Sequence, residues 1–227
     1  MSKDEYLITD APIKALTVFA MPMILGSFFQ QVYNMADSII VGQYVGAPAL
    51  AAVGACAALT NVFICIALGA GVGAGVLVSR YFGAKNYSKM KTIVSTSLIS
   101  FLILSVLLGI FGFCFSRFMM TALQTPADIL EKAVLYLRVY FVGFPFLFMY
   151  NIISTMFNSI GESKIPLGLL IFSSVLNIFM DIWMVAGLGL GVFGAALATL
   201  IAQGISAVFS LLIFFSRMRR YKSPFNW

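Results

Sequence analysis

IVSTSLISFLILSVLLGIFGFCF, residues 93–115, runs for twenty-three residues without one charged side chain. A helix crossing the ~30 Å hydrocarbon layer of a bilayer needs about 20 mostly apolar residues, so this stretch is long enough to span. It is too long for a barrel strand. In lipid a backbone must satisfy its own hydrogen bonds, which leaves a helix as the reading. Outward from this segment the pattern repeats. Spans are expected over Ala15–Val45 and Leu50–Ser79 on its N-terminal side. On its C-terminal side they are expected over Leu130–Phe157, Pro166–Val185 and Phe193–Phe215. The fold class that follows is an all-α membrane protein, a bundle of six transmembrane helices. Several spans exceed the minimum length, which implies tilt or extension into water.

Composition agrees. Of 227 residues, 61% are hydrophobic and 10% charged, and the mean hydropathy is +1.01. A soluble domain averages about 45–50% apolar and about 25% charged residues. There are too few charges here to cover a water-facing surface, and six spans with their connectors leave no room for a separate soluble domain. The expected division is a tail over 1–14, a six-helix lobe over 15–216, and a tail or the start of a connector over 217–227. The first residues, MSKDEYLITDAPIK, mix acids with bases, and the apolar run behind them is too long for a signal peptide.

Net charge is +6, yet the placement of the charges matters more than their sum. Lys3, Lys14, Arg80, Lys85, Lys89, Lys91, Lys164, Arg217, Arg219, Arg220 and Lys222 fall on one side of the expected bundle. Only Arg117, Lys132 and Arg138 fall on the other. The positive-inside rule then puts both termini in the cytoplasm, and an even span count agrees in placing them on the same side. The expected location is the plasma membrane, with the bilayer and not nucleic acid as partner. The chain has no His, the commonest catalytic base and metal ligand. Its three Cys, Cys56, Cys65 and Cys114, lie inside apolar runs without a CxxC spacing and read as packing residues. No Cys/His or Ser/Lys constellation suggests an enzyme, and no cofactor is expected.

Polar residues at membrane depth carry the functional information, and an ionisable one is a functional-site hypothesis by default. Asp37 lies deep in the first span and Asp181 deep in the fifth, with no basic residue nearby in either span. Helical spacing groups their neighbours, because side chains three and four apart share a face. Gln30, Asn34 and Asp37 fall together in the first span, with Tyr33 beside them. Asn151, Ser154, Thr155 and Asn158 share a face of the fourth. Ser173, Ser174, Asn177 and Asp181 share one of the fifth, and Thr199, Gln203 and Ser206 one of the sixth. Four polar stripes that must avoid lipid point to a common interior or a watery cavity. Ser and Thr serve as glue between helices as readily as they line a cavity. A charged carboxylate is a costly choice for glue, since Asn would do without the charge. A buried carboxylate holds either a cation or a proton, and the two exclude each other, which is the minimum physics of an antiporter.

The glycines read as packing. GAGVGA within the second span matches a dinucleotide fingerprint in letters only, because no strand precedes it. The pairs Gly69/Gly73 and Gly71/Gly75 suit close helix contact. Pro22 and Pro145, inside spans, predict kinks or local unwinding.

Five segments carry a family resemblance: VGQYVGAPALAAVG (41–54), VSRYFGAKNYSKMK (78–91), FNSIGESKIPL (157–167), LNIFMDIWMV (176–185) and GVFGAALATLIAQ (191–203). Together they resemble the multidrug and toxic compound extrusion (MATE) transporters, in order and over essentially the whole chain. The resemblance implies one lobe, the N-terminal, of a twelve-helix transporter that expels organic cations and other xenobiotics in exchange for H⁺ or Na⁺. In the DinF-like bacterial branch it implies a proton or cation site at Asp37, Asn177 and Asp181, with Asn151 and Thr199 in the same network. Na⁺ would bind at Asp37, Asn177 and Asp181, and no other metal is expected. Gln30 and Tyr33 match cavity positions, and the stripes add Asn34, Ser154, Asn158 and Gln203. The implied partner is a second six-helix lobe, either a missing C-terminal half, the favoured reading, or a second copy of the chain. The other readings are an inactive fragment or non-transporting membrane partner, and a lipid-linked oligosaccharide flippase. The last usually needs basic residues in the cavity, where this chain has acids.

Overall fold

The computed structural model describes residues 11–219. The helices are α1 (Pro12–Tyr44), α2 (Ala47–Gly83), α3 (Tyr87–Ala122), α4 (Ala127–Val142), α5 (Phe144–Ser159), α6 (Lys164–Asp181) and α7 (Gly191–Met218). A π-helical turn, Ile182–Gly187, continues α6. No strand occurs among the described residues. Five helical stretches are long and apolar enough to cross a membrane, and α4 with α5 makes a sixth span bent by 51°. The six expected spans are thus all present.

Every span is longer than its apolar run alone suggests. The polar ends are helical too: Lys14 lies in the first turns of α1, Arg80 in the last turn of α2, Lys89 and Lys91 in the first turns of α3, and Arg217 in the last turn of α7. The expected tail boundaries at 14 and 217 therefore move outward to Pro12 and Met218. Lys3, Arg220 and Lys222 lie outside the described residues.

Connections are short, so successive spans run antiparallel, α4 and α5 counting as one bent span. Gly46 turns the chain into α2 at φ +101°, a conformation that only glycine adopts without strain. Asn86 caps α3, its side-chain oxygen accepting from the Lys89 N–H at 3.2 Å. The two proline expectations part company. At Pro145 the fourth span breaks: proline has no N–H to offer the Phe141 carbonyl, and Gly143 ends α4 and begins α5. Pro22 lies inside α1, which continues as one helix through it.

The core sits between α2, α3, α4 and α5. Phe141, Phe144 and Phe148 are fully buried and, with Phe63, form a chain of ring contacts with centroids 4.6–5.6 Å apart. Edge-on and tilted geometry of this kind favours aromatic pairs beyond the area they bury. Gly112 of α3 makes room for it: a Cβ there would lie within the Phe141 ring. Gly71 and Gly75 of α2 face Thr155 and Ser159 of α5, and a Cβ at Gly75 would stand 2.8 Å from both side chains. Gly69 and Gly73 have nothing within 4 Å, so half of the glycine run is packing and half is open surface.

Candidate proton or cation site

α7 packs on α4, α5 and α6, and α1 lies against α6 and the π turn. That arrangement brings together residues far apart in sequence. Asn177 and Asp181 are one turn apart on α6 and buried. With the Asn177 amide oriented to satisfy both neighbours, its nitrogen donates to Asp181 Oδ2 at 2.7 Å and its oxygen accepts from the Thr199 hydroxyl at 3.2 Å. Asp37 of α1, 8% exposed, faces Asp181, which is completely buried. Tyr33, one turn before Asp37, reaches the Thr199 hydroxyl. Members of three of the four expected stripes meet at one point: Tyr33 and Asp37 of the first span, Asn177 and Asp181 of the fifth, and Thr199 of the sixth.

Two oxygens at this point, Asp37 Oδ1 and Asp181 Oδ1, are buried without a donor. No basic side chain pairs with either acid among the described residues. No cluster of three His, Cys, Asp or Glu side chains occurs among the described residues, so the group is two carboxyls with amide and hydroxyl oxygens. Buried charges are ordinarily paired, and two carboxylates side by side repel one another. A proton shared between them, or a small monovalent cation bound to them, relieves both faults. Carboxylate, amide and hydroxyl oxygens are hard donors of the kind alkali cations take.

The fourth span is placed differently. The Asn151 amide donates to the Leu147 carbonyl of its own helix at 2.8 Å, and no contact joins it to the carboxyls among the described residues. Thr155 and Ser159 likewise donate to carbonyls one turn back, at 3.0 and 2.8 Å. Ser154 and Asn158 are half-buried in α5, Gln203 is half-buried in α7, and Ser206 is buried there. Gln30 and Asn34 are exposed on α1. The residues that sequence reasoning missed are Tyr136 and Tyr140 of α4, which stand near Asp37 and Tyr33. Their i, i+4 spacing was the available signal, and two tyrosines among so many aromatics do not stand out.

The π turn begins at the residue after Asp181. Its wider hydrogen-bond ring is closed by Leu188 N–H donating to the Trp183 carbonyl at 2.9 Å. Such turns are rare and gather at functional sites. Gly189 and Gly191 follow with φ of +65° and +59°, returning the chain into α7.

The MatE family model matches residues 22–183, which include both acids. The chain is 30% identical over 217 residues to the probable multidrug resistance protein YoeA of Bacillus subtilis, covering 94% of this chain and 46% of that protein. It is 30% identical over 219 residues to the multidrug export protein MepA of Staphylococcus aureus, covering 93% of this chain and 48% of that one. It superposes on a MATE crystal structure in the bent conformation with a TM-score of 0.90 and 28% identity, covering all of this chain and 51% of that one. The chain spans about half the length of the relatives it matches.

Proposed function

Because the chain belongs to the MatE family, we propose that it works as the N-terminal half of a multidrug antiporter, exporting organic cations in exchange for H⁺ or Na⁺. The observation that carries this reading is the meeting of Asp37 and Asp181, each with a buried oxygen that has no donor. A pair that needs one positive charge and can take it as either species is suited to exchange.

The parts have distinct roles in this reading. Asp37 and Asp181 hold the coupling proton or cation. Asn177 donates to Asp181 and fixes its orientation, and Thr199 holds Asn177 in turn. Tyr33 ties α1 to the same group, so that the charge on the pair is felt by the least covered of the five long spans. Filling the pair with a proton or cation draws α1 against α6, and emptying it lets the two acids repel. Movement of α1 changes the face that carries Gln30 and Asn34. These are polar groups at membrane depth that a second lobe would cover, and lipid would not satisfy them. Asn151, Ser154, Asn158 and Gln203 contribute to substrate binding. The coupling pair and the substrate cavity are then neighbours joined through α1. In this orientation both termini face the cytoplasm of the cell whose plasma membrane holds the protein.

The test is ethidium efflux from cells lacking their own pumps and carrying this chain joined to its second lobe. Asp37→Asn and Asp181→Asn should each abolish efflux while membrane insertion is kept. Unchanged efflux in both variants would remove the carboxyls from the mechanism. Efflux that survives without a Na⁺ gradient and stops when the proton gradient is collapsed assigns H⁺; the opposite pattern assigns Na⁺.

A further inference from the structure

On the other side of the lobe from the carboxyl pair, α3 packs on α2, α4 and α5. Where α3 crosses the bend of the fourth span an open cavity of about 350 Å³ remains. Val106, Gly109 and Ile110 line it from α3, and Phe141, Val142 and Pro145 line it from the bend. The bend shapes it: α5 leaves the line of α4 by 51°, and Gly109 lets α3 approach the bend closely, since a Cβ there would stand 3.0 Å from the Phe141 carbonyl. All these groups are apolar.

A charge stands at one end of this groove. Arg138 of α4 lies one turn before Phe141, and its guanidinium carbon sits 5.4 Å from the centroid of the Phe113 ring, which also lines the groove. Arg138 Nε donates to the Ser116 hydroxyl at 3.2 Å, which fixes the side chain and leaves the terminal nitrogens for another acceptor. No carboxylate pairs with Arg138 among the described residues. The neighbouring exposed ion pair, Arg117 with Glu131 at 2.9 Å, has taken the nearby acid. Glu131 and Arg138 are seven residues apart, so the Arg138 backbone lies about 10 Å further along α4, and its side chain leans back to Ser116, beside Arg117 of that water-facing pair. A guanidinium at the edge of an apolar groove with no carboxylate partner among the described residues is a ready site for an anion. The sequence of groups from water inward is therefore an exposed ion pair, a fixed and unpaired guanidinium, then an apolar groove.

We propose that this groove binds an anionic phospholipid, with its phosphate on Arg138 and one acyl chain against Gly109 and the bend of the fourth span. Guanidinium and phosphate make charge-assisted paired hydrogen bonds, and the groove continues inward where the chain must run. In the orientation proposed above, the lipid belongs to the outer leaflet. The binding does not depend on the ion chemistry at Asp37 and Asp181.

Cys114 lines the groove and is a free, exposed thiol, and exposed Cys65 on α2 provides an internal reference. The experiment follows alkylation of both by N-ethylmaleimide in the purified chain in detergent, read by peptide mass spectrometry. Added phosphatidylglycerol should slow Cys114 several-fold relative to Cys65. Phosphatidylcholine with the same acyl chains should protect less. Arg138→Gln should reduce protection by phosphatidylglycerol to the phosphatidylcholine level. The two-lipid comparison on the unaltered chain needs no variant: equal protection by both lipids overturns the headgroup contact, and no protection by either overturns the groove as a lipid site.

Discussion

The lobe has two polarities of construction. Around Phe63, Phe141, Phe144 and Phe148 every ring is buried, the packing is aromatic and mostly apolar, and Gly112 brings α3 into contact with Phe141. Around Asp37 and Asp181 the groups are polar, two oxygens have no donor, and the helix that carries Asp37 is the least covered of all. Only 17% of the most apolar window of α1 is buried, against 39% of that of α7. One region has its groups packed, and the other keeps two buried carboxyl oxygens without a donor. The contrast teaches where stability resides: dispersion and close packing hold the first region, whereas in the function proposed above the second would take up a positive charge.

Substitutions in the aromatic region should break this contrast most strongly. Phe144→Ala removes a fully buried ring from four aromatic contacts and leaves a cavity, so a loss of about 3–5 kcal/mol is expected. Thermal unfolding of the purified chain in detergent, followed by circular dichroism, measures it. An unchanged melting temperature would mean that the rings are not the stabilising core.

A smaller effect separates the two halves of the glycine run. Gly75→Ala presses a methyl against Thr155 and Ser159 and should destabilise by about 1–3 kcal/mol. Gly73→Ala meets nothing within 4 Å and should stabilise by about 0.5–1 kcal/mol through reduced freedom of the unfolded chain. The same melts decide, and equal shifts of the two variants would contradict the packing described for α2 on α5.

The smallest stability effect belongs to the carboxyl region. Asp181→Asn removes a buried acid that has an undonated oxygen, so the melting temperature should stay level or rise even though efflux is lost. A large drop would mean that the acid is structural, and the contrast between the regions would fail there.

How much of this was legible beforehand differs by region too. Six apolar runs dictate six spans because lipid tolerates few alternatives, and the spans are where the runs are. The meeting of Asp37 with Asp181 was legible as two lone acids on polar stripes, since their isolation is visible in one dimension. Spacing alone puts Asn177 and Asp181 on one face, whereas the grouping of Thr199 with them came only from the family resemblance. Asn151 illustrates the opposite error. Its helical register allies it with a polar face, but an amide beside a carbonyl of the preceding turn finds a partner without leaving its own helix. Proline was readable only in part: Pro145 follows a glycine and a helix end, and the span breaks there, whereas Pro22 is accommodated inside a continuous helix. The unpaired Arg138 was visible only as one basic residue among the few on its side.

The π turn at Ile182–Gly187 has a consequence for how this gene tolerates length changes. A π turn is an α-helix holding one residue more than its hydrogen bonds need. Elsewhere in these spans, losing a residue rotates everything downstream by about 100° and turns a buried face toward lipid. Within 182–187 a one-residue deletion would instead regularise the helix, with the positive-φ glycines at 189 and 191 absorbing the slack. Asp181 would stay where it is, and the widened ring beside it would close. The turn is thus the one point among the described spans where a reading frame shortened by a single codon leaves a sound helix and removes only its adaptability.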